Sequence, residues 1–358
     1  MEETVSRNPF KRWVARFKSE DFKISRKGKW YVIAPALIII AGLIVVLVMN
    51  FNLGLDFTGG RTFRVRGIEN QQAYSEMRTI ITEHMQDAQR EHNIGAFNIM
   101  QIQVDGGISI SVDFQTASGL SGTADEIDEQ MGVIAREIAS TLQTRLISAG
   151  FAGVTVPTAD ITAVSARASQ EHLINTFIAV TVALVAMLLY MLFRFKFTSG
   201  VAALIGLVHD VLVMLALTAI FRVQINAAFI AALITVVAYS INNTLILFDR
   251  VRGFEKNNTL KESPEALTDR AVKETFTRTM ITTVTTLVPI AVLIIAGIAA
   301  NVPLLVEFAV PILFGLVAGT FSTIFITTSL YVRFENYKLW SAKRKRVLEN
   351  KQSLPKNT

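Results

Sequence analysis

The stretch LINTFIAVTVALVAMLLYMLF, residues 173–193, contains no charged side chain and decides the class of this protein. Because an α-helix rises about 1.5 Å per residue, a run of about 20 apolar residues crosses a hydrocarbon core of about 30 Å. Further long apolar runs occur at 31–49, 199–221, 227–248, 280–300 and 304–332. The sequence therefore predicts a membrane all-α bundle of six transmembrane helices, the first at 31–49 and five more within 173–332.

The overall composition agrees with this class. Hydrophobic residues make up 51% of the 358 residues and charged residues 18%, with a mean hydropathy of +0.42, a combination that is unusual for a soluble domain. The net charge of +6 would suit a nucleic-acid partner, but Lys and Arg flank the apolar runs, where topology signals belong. We therefore expect the lipid bilayer, and no nucleic acid, as a partner.

Cysteine is absent from the sequence. Its absence excludes disulfides, thiol catalysis and cysteine-based metal sites. The sequence also has no Gly-Lys-Ser/Thr loop for nucleotides and only 4 histidines. We expect no enzymatic activity, no metal and no cofactor.

The distribution of Lys and Arg orients the predicted spans. Residues 1–30 form a basic segment that is too long for a signal peptide, and no small-residue cleavage site follows the first apolar run. Basic residues recur in the loop 249–278 and in the tail 333–358, whereas the links on the opposite side carry a single Arg. The positive-inside rule then predicts that both termini and the loop 249–278 are cytoplasmic.

The segment 50–172 lies on the outer side in this topology and has the pattern of a folded domain. Alternating and helical apolar spacings predict four strands and two helices, in the order 62–67, 71–89, 100–104, 108–114, 123–148 and 154–164. The order β-α-β-β-α-β is the ferredoxin-like pattern of two split βαβ units. We therefore expect an extracytoplasmic α+β domain of ferredoxin-like type.

The sequence GLDFTGG, residues 54–60, follows the first predicted span. Its glycines Gly54, Gly59 and Gly60 permit positive φ and a tight turn. Asp56 could cap that turn or the following strand. Without other information, these residues predict a structural motif.

Asp210, preceded by His209, lies inside the third predicted span. It is about 11 residues from the start of that span, which places it roughly 16 Å deep, near the bilayer midplane. A carboxylate at this depth is costly unless it is paired, protonated or hydrated, so it is a functional-site hypothesis. The alternative is a structural hydrogen bond to a neighbouring helix.

Further polar residues follow towards the cytoplasmic side. Asn242 and Asn243 need partners that lipid does not offer. Asp249 and Arg278 lie at similar depth at the inner edge, where they could pair as a gate or simply end their helices. Together with Asp210 and His209, these four residues are the candidate ion-path residues. In the last span, Gly315 and Gly319 form a small-xxx-small face that lets helices approach closely.

Taken together, these motifs resemble the SecF family, the partner of SecD within the resistance-nodulation-division superfamily. The resemblance extends from Gly54 to about residue 330. It rests on the order and spacing of GLDFTGG at 54–60, RF at 194–195, HD at 209–210, YSIN-x-T at 239–244, FDR-x-R at 248–252, RT at 278–279 and P-x-x-x-G-x-x-x-G-T-F-S-T-I-F at 311–325.

The resemblance implies an accessory role in protein export across the bacterial cytoplasmic (inner) membrane. In this family SecD and SecF form two six-span halves beside the SecYEG channel. They use the ion gradient to draw unfolded polypeptide outward after the SecA ATPase has driven early translocation. The implied partners are therefore SecD, SecYEG, the translocating polypeptide and, indirectly, SecA.

Two departures from the family pattern bear on this role. The family usually carries Asp at the position of Asn243, as a candidate proton carrier paired with the residue that matches Arg278. An amide cannot take up or release a proton in the useful pH range. A docking subunit that carries no ions is therefore a second hypothesis, and an exporter of small molecules or lipids from the same superfamily is a third. The usual V-G-x-x-V-G reads VSARAS at 164–169, which would stiffen the link to the second span.

Overall fold

The computed structural model describes residues 31–104, 107–164, 166–258, 262–300 and 302–352. The predicted N-terminal segment 1–30, the hairpin turn at Asp105 and Gly106, and Ser165 of the VSARAS link lie outside the described residues. The described helices and strands are, in chain order, α1 (Ile33–Met49), β1 (Gly60–Ile68), α2 (Gln71–His92), β2 (Phe97–Val104), β3 (Gly107–Gln115), α3 (Ala124–Ser148), β4 (Thr162–Val164), α4 (Ala166–Arg194), α5 (Phe197–Ile220), α6 (Ala227–Lys256), α7 (Pro264–Ala299), α8 (Pro303–Phe321) and α9 (Thr328–Gln352).

Several of these helices are membrane-type helices. Within the described ranges, five stretches are long and apolar enough to cross a bilayer: Leu173–Met191, Phe197–Ile220, Ala227–Lys256, Pro264–Ala299 and Pro303–Arg346. Helix α1 is also apolar but has only 17 residues, a length of about 26 Å. The chain is therefore a multi-pass membrane protein, in which the predicted first span is the shortest apolar helix.

The last two membrane helices are longer than the predicted spans. The second half of the predicted loop 249–278 and the fifth predicted span form one continuous helix, α7, which Ser263 caps by accepting a hydrogen bond from the backbone N–H of Ala266. Helix α8 continues through a π-helical segment, Ser322–Thr327, into α9. The chain thus leaves the membrane as a helix, since no proline or glycine interrupts α9.

The segment between α1 and α4 contains a four-stranded antiparallel sheet with the strand order β2-β3-β1-β4. Strands β2 and β3 form a hairpin, and β1 pairs with β3 so that Phe63 lies opposite Val112. Helices α2 and α3 begin at side-chain caps, Asn70 and Thr123, and cover one face of the sheet. The core between them includes Phe63, Val65, Met77, Ile81, Ile110, Val112, Phe114, Met131, Ile138 and Leu142.

The last strand is shorter than predicted. We expected it over 154–164, but β4 has only 3 residues, Thr162–Val164. Pro157 has no backbone N–H, and a 3₁₀ turn, Thr158–Asp160, follows it directly. Val154 and Val156 are nevertheless buried in the domain core, so the apolar alternation reflects burial without a regular strand.

Candidate functional site

Asp210 is fully buried among the membrane helices, with 0% of its surface exposed. Its Oδ2 accepts a hydrogen bond of 2.5 Å from the hydroxyl of Ser240 on α6. Its Oδ1 lies 3.0 Å from Nδ1 of the neighbouring His209. The carboxyl therefore has one partner on its own helix and one on the next helix.

Both members of the contact between Asp210 and His209 are ionisable side chains. Either the carboxyl of Asp210 or Nδ1 of His209 can carry a proton shared between them, because each can act as donor or acceptor. A proton on the carboxyl would also weaken its hydrogen bond with Ser240, because a neutral carboxyl oxygen is a weaker acceptor than a carboxylate oxygen. Protonation at this position is thus connected to the contact between α5 and α6.

Two glycines of α8 bring that helix against this group. A Cβ at Gly319 would lie 3.3 Å from Cβ of Ser240 and 3.4 Å from Oδ2 of Asp210. A Cβ at Gly315 would overlap both methyl groups of Val236 on α6. The small residues of α8 therefore allow three helices to meet around the buried carboxyl.

The two adjacent asparagines of α6 have different environments. Asn242 is exposed on the surface of the helix bundle, whereas Asn243 is 1% exposed. Neither amide atom of Asn243 has a hydrogen-bond partner within the described part of the chain. Since a buried amide in a bilayer requires partners, Asn243 has the capacity to bind a buried water.

Hydroxyl groups tie α6 to α7 and α8. The hydroxyl of Tyr239 donates to Oγ1 of Thr283 at 2.9 Å, and Thr283 lies 3.0 Å from Thr320 of α8. One turn further along α6, Oγ1 of Thr244 lies 3.2 Å from Oγ1 of Thr323. The hydroxyl of Thr283 on α7 thus takes part in contacts with both α6 and α8.

The charged residues near the end of α6 and in α7 are not paired with each other. Asp249 forms an ion pair with Arg194 of α4, Oδ1 to Nη2, at 3.0 Å. Arg278 is exposed and forms no ion pair with any of the residues the structure describes. Both Asp249 and Arg278 line one open cavity of about 600 Å³, together with Tyr190, Arg194, Arg250 and Glu274. The proposed pair Asp249–Arg278 is therefore wrong as a contact, although the two residues share a cavity.

The GLDFTGG motif lies at the opposite, N-terminal end of α6. We expected Asp56 to cap its own turn or strand, but its Oδ2 accepts a hydrogen bond of 2.9 Å from the backbone N–H of Ala227, the first residue of α6. Gly59 and Gly60 do adopt positive φ, 68° and 151°, between this turn and β1. Asp56 thus contacts a helix about 170 residues away in sequence, a contact that no local sequence pattern predicts.

Sequence reasoning also missed two polar partners. Ser240 belongs to the motif YSIN-x-T at 239–244, but the sequence did not identify it as the partner of Asp210. Glu307 lies inside the predicted last span, and its Oε2 accepts a hydrogen bond of 2.5 Å from Asn226, the N-cap residue of α6. The rule that flags Asp210, an ionisable residue within an apolar run, would have flagged Glu307 as well.

Comparison with known proteins places these features in one family. Residues 148–337 match "Protein export membrane protein SecD/SecF, C-terminal", and residues 45–66 match the SecD/SecF GG motif. The first match contains all the candidate ion-path residues, and the second contains Gly54, Asp56, Gly59 and Gly60.

Individual relatives agree with this match. The protein translocase subunit SecF of Helicobacter pylori (strain J99) is 26% identical over 329 residues, which cover 90% of each chain. The protein translocase subunit SecDF of Bacillus subtilis (strain 168) is 26% identical over 94% of this chain and 40% of its own length. The crystal structure of SecDF from Thermus thermophilus has a TM-score of 0.66 at 27% identity and covers 89% of this chain and 39% of that chain. On the strength of both matched regions, the chain belongs to the SecD/SecF family of protein export membrane proteins.

Proposed function

We propose that this chain is an accessory subunit of the Sec protein-export machinery and that it uses the transmembrane ion gradient, with SecD, to promote polypeptide translocation. The relatives named above are protein translocase subunits, and this chain corresponds to two-fifths of SecDF. That proportion supports SecD as the partner that supplies the remaining part. SecYEG, the unfolded polypeptide and, indirectly, SecA complete the proposed set of partners.

The topology that goes with this role has six crossings, with α1 as the first and both termini in the cytoplasm. The basic loop and tail support this orientation. The domain between α1 and α4 is then extracytoplasmic. The strand order β2-β3-β1-β4, with helices on one face, supports a ferredoxin-like fold for it.

The observation that carries the ion-coupling part is the complete burial of Asp210 against Ser240 and His209. In the proposed mechanism, a proton that binds at Asp210 neutralises the carboxyl and alters its contact with α6. Asn243 and the hydroxyls around Thr283 provide polar groups between this carboxyl and the cytoplasmic cavity lined by Asp249 and Arg278, whereas the other candidate, Asn242, is exposed on the bundle surface. Movement of α6 relative to α5 would then accompany each protonation.

A non-conducting docking subunit is the second candidate. Asn243 favours it, because an amide cannot titrate where the family usually carries a carboxyl. In that case the ions pass through SecD alone.

Asp210→Asn separates the two functions in an export assay with membrane vesicles, measured with and without an ion gradient. Ion coupling through this chain predicts that gradient-dependent export is lost while the complex with SecD still assembles. Asp87→Asn is the matched control, because it removes an exposed carboxylate of the sheet domain whose partner, Arg145, is also solvent-accessible. Normal export by Asp210→Asn would exclude the ion-coupling role and leave the docking role.

A further inference from the structure

Residues 50–56, between α1 and the outer domain, run alongside the short link between α5 and α6. The backbone N–H of Ile225 donates to the carbonyl of Asn52, and the N–H of Gly54 donates to the carbonyl of Ile225, both at 2.8 Å. The side-chain amide of Asn52 donates to the carbonyl of Arg222 at 3.0 Å. This segment is therefore joined to the link by an isolated parallel bridge between Leu53 and Ile225.

Asp56 extends this pairing to the first residue of α6. The first N–H groups of a helix have no partner within the helix, and a carboxylate is favoured there by the helix dipole. Asn226, the N-cap residue, accepts from the N–H of Phe229, and Asp56 accepts from the N–H of Ala227. The N-terminus of α6 is thus capped from two sides, once from its own link and once from the outer segment.

The backbone around Asp56, from Gly54 to the start of β1 at Gly60, is closely packed. A Cβ at Gly54 would lie 3.0 Å from Cβ of Asn226, and a Cβ at Gly60 would overlap the carbonyl oxygen of Phe114 in β3. Between them, the hydroxyl of Thr58 donates to the carbonyl of Gly54 at 3.1 Å and closes a single helical turn. The sheet of the outer domain is therefore joined to α6 through one compact turn.

We propose that residues 52–56 couple the outer domain to the buried polar group and that Asp56 is the positioning residue at the contact with α6. Ser240 lies 13 residues after Ala227 on the same helix, about 20 Å along its axis. A helix held at its N-terminus transmits a change of tilt along its length, so the position of the outer domain affects the contact of Ser240 with Asp210. Only the role of this coupling in export rests on the proposed function.

A double-mutant cycle tests the contact on the full-length chain in detergent or nanodiscs. Ala227→Pro removes the donor N–H at the first helical position, where proline is well tolerated. Asp56→Ala removes the acceptor, and Asp56→Asn keeps an acceptor oxygen while it removes the charge. Hydrogen–deuterium exchange of peptides from the first two turns of α6 should rise about fivefold in Asp56→Ala and Ala227→Pro, and less than twofold in Asp56→Asn. Asp56→Ala added to Ala227→Pro should have no further effect.

A second readout tests coupling to the buried group. The carbonyl-stretch infrared band of protonated Asp210, identified by its loss in Asp210→Asn, gives the pH midpoint of this carboxyl. Asp56→Ala should shift that midpoint, and Asp56→Asn should leave it at the wild-type value. The proposal is overturned if Asp56→Ala and Asp56→Asn raise the exchange equally, or if the effects of Asp56→Ala and Ala227→Pro on exchange add. It is also overturned if the pH midpoint of Asp210 is unchanged in Asp56→Ala. Neither measurement uses export, so a failure of the ion-coupling role leaves this test intact.

Discussion

Asp210 on α5 and Ser240 on α6 lie 2.5 Å apart, Oδ2 to Oγ, in a position closed off by Gly319 of α8. Both side chains are buried, so neither can replace its partner with bulk water. The pair therefore joins an ionisable group to a contact between two helices. Its loss should affect both stability and proton binding.

Ser240→Ala removes the hydroxyl that donates to this carboxyl. A buried group that loses a hydrogen-bond partner costs about 1–3 kcal/mol, so the free energy of unfolding should fall by that amount. Thermal or denaturant unfolding in detergent measures the change. Thr235→Ala is the control on the same helix, because Thr235 is exposed and its hydroxyl donates only to the carbonyl of Ala231, so it should change stability by no more than about 0.5 kcal/mol. Equal effects of the two variants would mean that the Asp210 contact contributes nothing.

Gly315→Ala tests the close approach of α8 to α6. The added methyl would overlap Val236, so the variant should lose about 1–3 kcal/mol of stability. Val236→Ala in the same chain should restore part of the loss, because it removes the two methyl groups in the way.

Gly253→Ala is the opposite case on α6. A Cβ at Gly253 meets nothing within 4 Å, and alanine favours the helix, so stability should rise by about 0.5–1 kcal/mol. If Gly315→Ala leaves the free energy of unfolding unchanged, α8 can move away from α6 at no cost, and the prediction for Gly315 is wrong.

The sequence predicted the features that depend on local pattern. Apolar runs predicted the membrane helices, and apolar–polar alternation predicted the strands that contain Phe63 and Val112. Both patterns are local, because burial of one face of a strand places an apolar side chain at every second residue. The length of β4 was wrong, since burial of Val154 and Val156 has the same alternation as a strand. The helical structure that begins with α8 also continues past residue 332 through α9, because neither proline nor glycine follows to end it.

Contacts distant in sequence could not be predicted in the same way. Asp210 was identified from its depth alone, but its partner Ser240 depends on how α5 and α6 pack. Asp249 was assigned to Arg278 because of equal depth, whereas Arg194 lies closer in space. Depth fixes one coordinate of a side chain and leaves its direction around the helix axis open.

His84 makes the stability of the outer domain depend on pH. It is 6% exposed, its Nε2 lies 3.0 Å from the carbonyl oxygen of Ile138, and burial lowers its pKa below the ordinary value of about 6.5. Between those two pKa values the unfolded chain binds more protons than the folded one, so stability is full above about pH 6.5 and falls as the pH decreases. Chemical denaturation of a fragment of residues 60–164, followed by circular dichroism from pH 7.5 to 5, measures this.

His84→Gln supplies the control for that measurement, because glutamine keeps a donor for Ile138 but does not titrate. The variant should lose less stability than the wild-type fragment between pH 7.5 and 5. Burial raises the pKa of Asp113, which contributes with the opposite sign, but this residue is unchanged in both fragments and cancels in the comparison. Parallel pH curves for the two fragments, or a fragment that stays unfolded at pH 7.5, would contradict the prediction.

Cysteine labelling tests the proposed orientation, because the chain has no cysteine of its own. Glu91→Cys at the end of α2 and Asn257→Cys after α6 both place the thiol at an exposed position. In intact cells an impermeant maleimide should label the first and not the second. Labelling of both after the membrane is permeabilised is the control for reactivity. The reverse pattern in intact cells would place the sheet domain in the cytoplasm.

Asn243→Asp tests whether the buried position of Asn243 in this chain can still accommodate a titratable carboxyl. Asn243 is buried one turn from Ser240, and its amide atoms have no partner within the described part of the chain, so an isosteric carboxyl breaks no existing hydrogen bond. If Asp210 carries protons, a second carboxyl on α6 adds a site on the same route, and gradient-dependent export should be retained or increased. In the Asp210→Asn background, Asn243→Asp should restore part of the gradient response. Asn242→Asp is the matched control, since Asn242 faces outward from the bundle and should restore nothing. Loss of export in Asn243→Asp with normal assembly would mean that the amide itself is required, as a fixed contact rather than a replaced proton carrier.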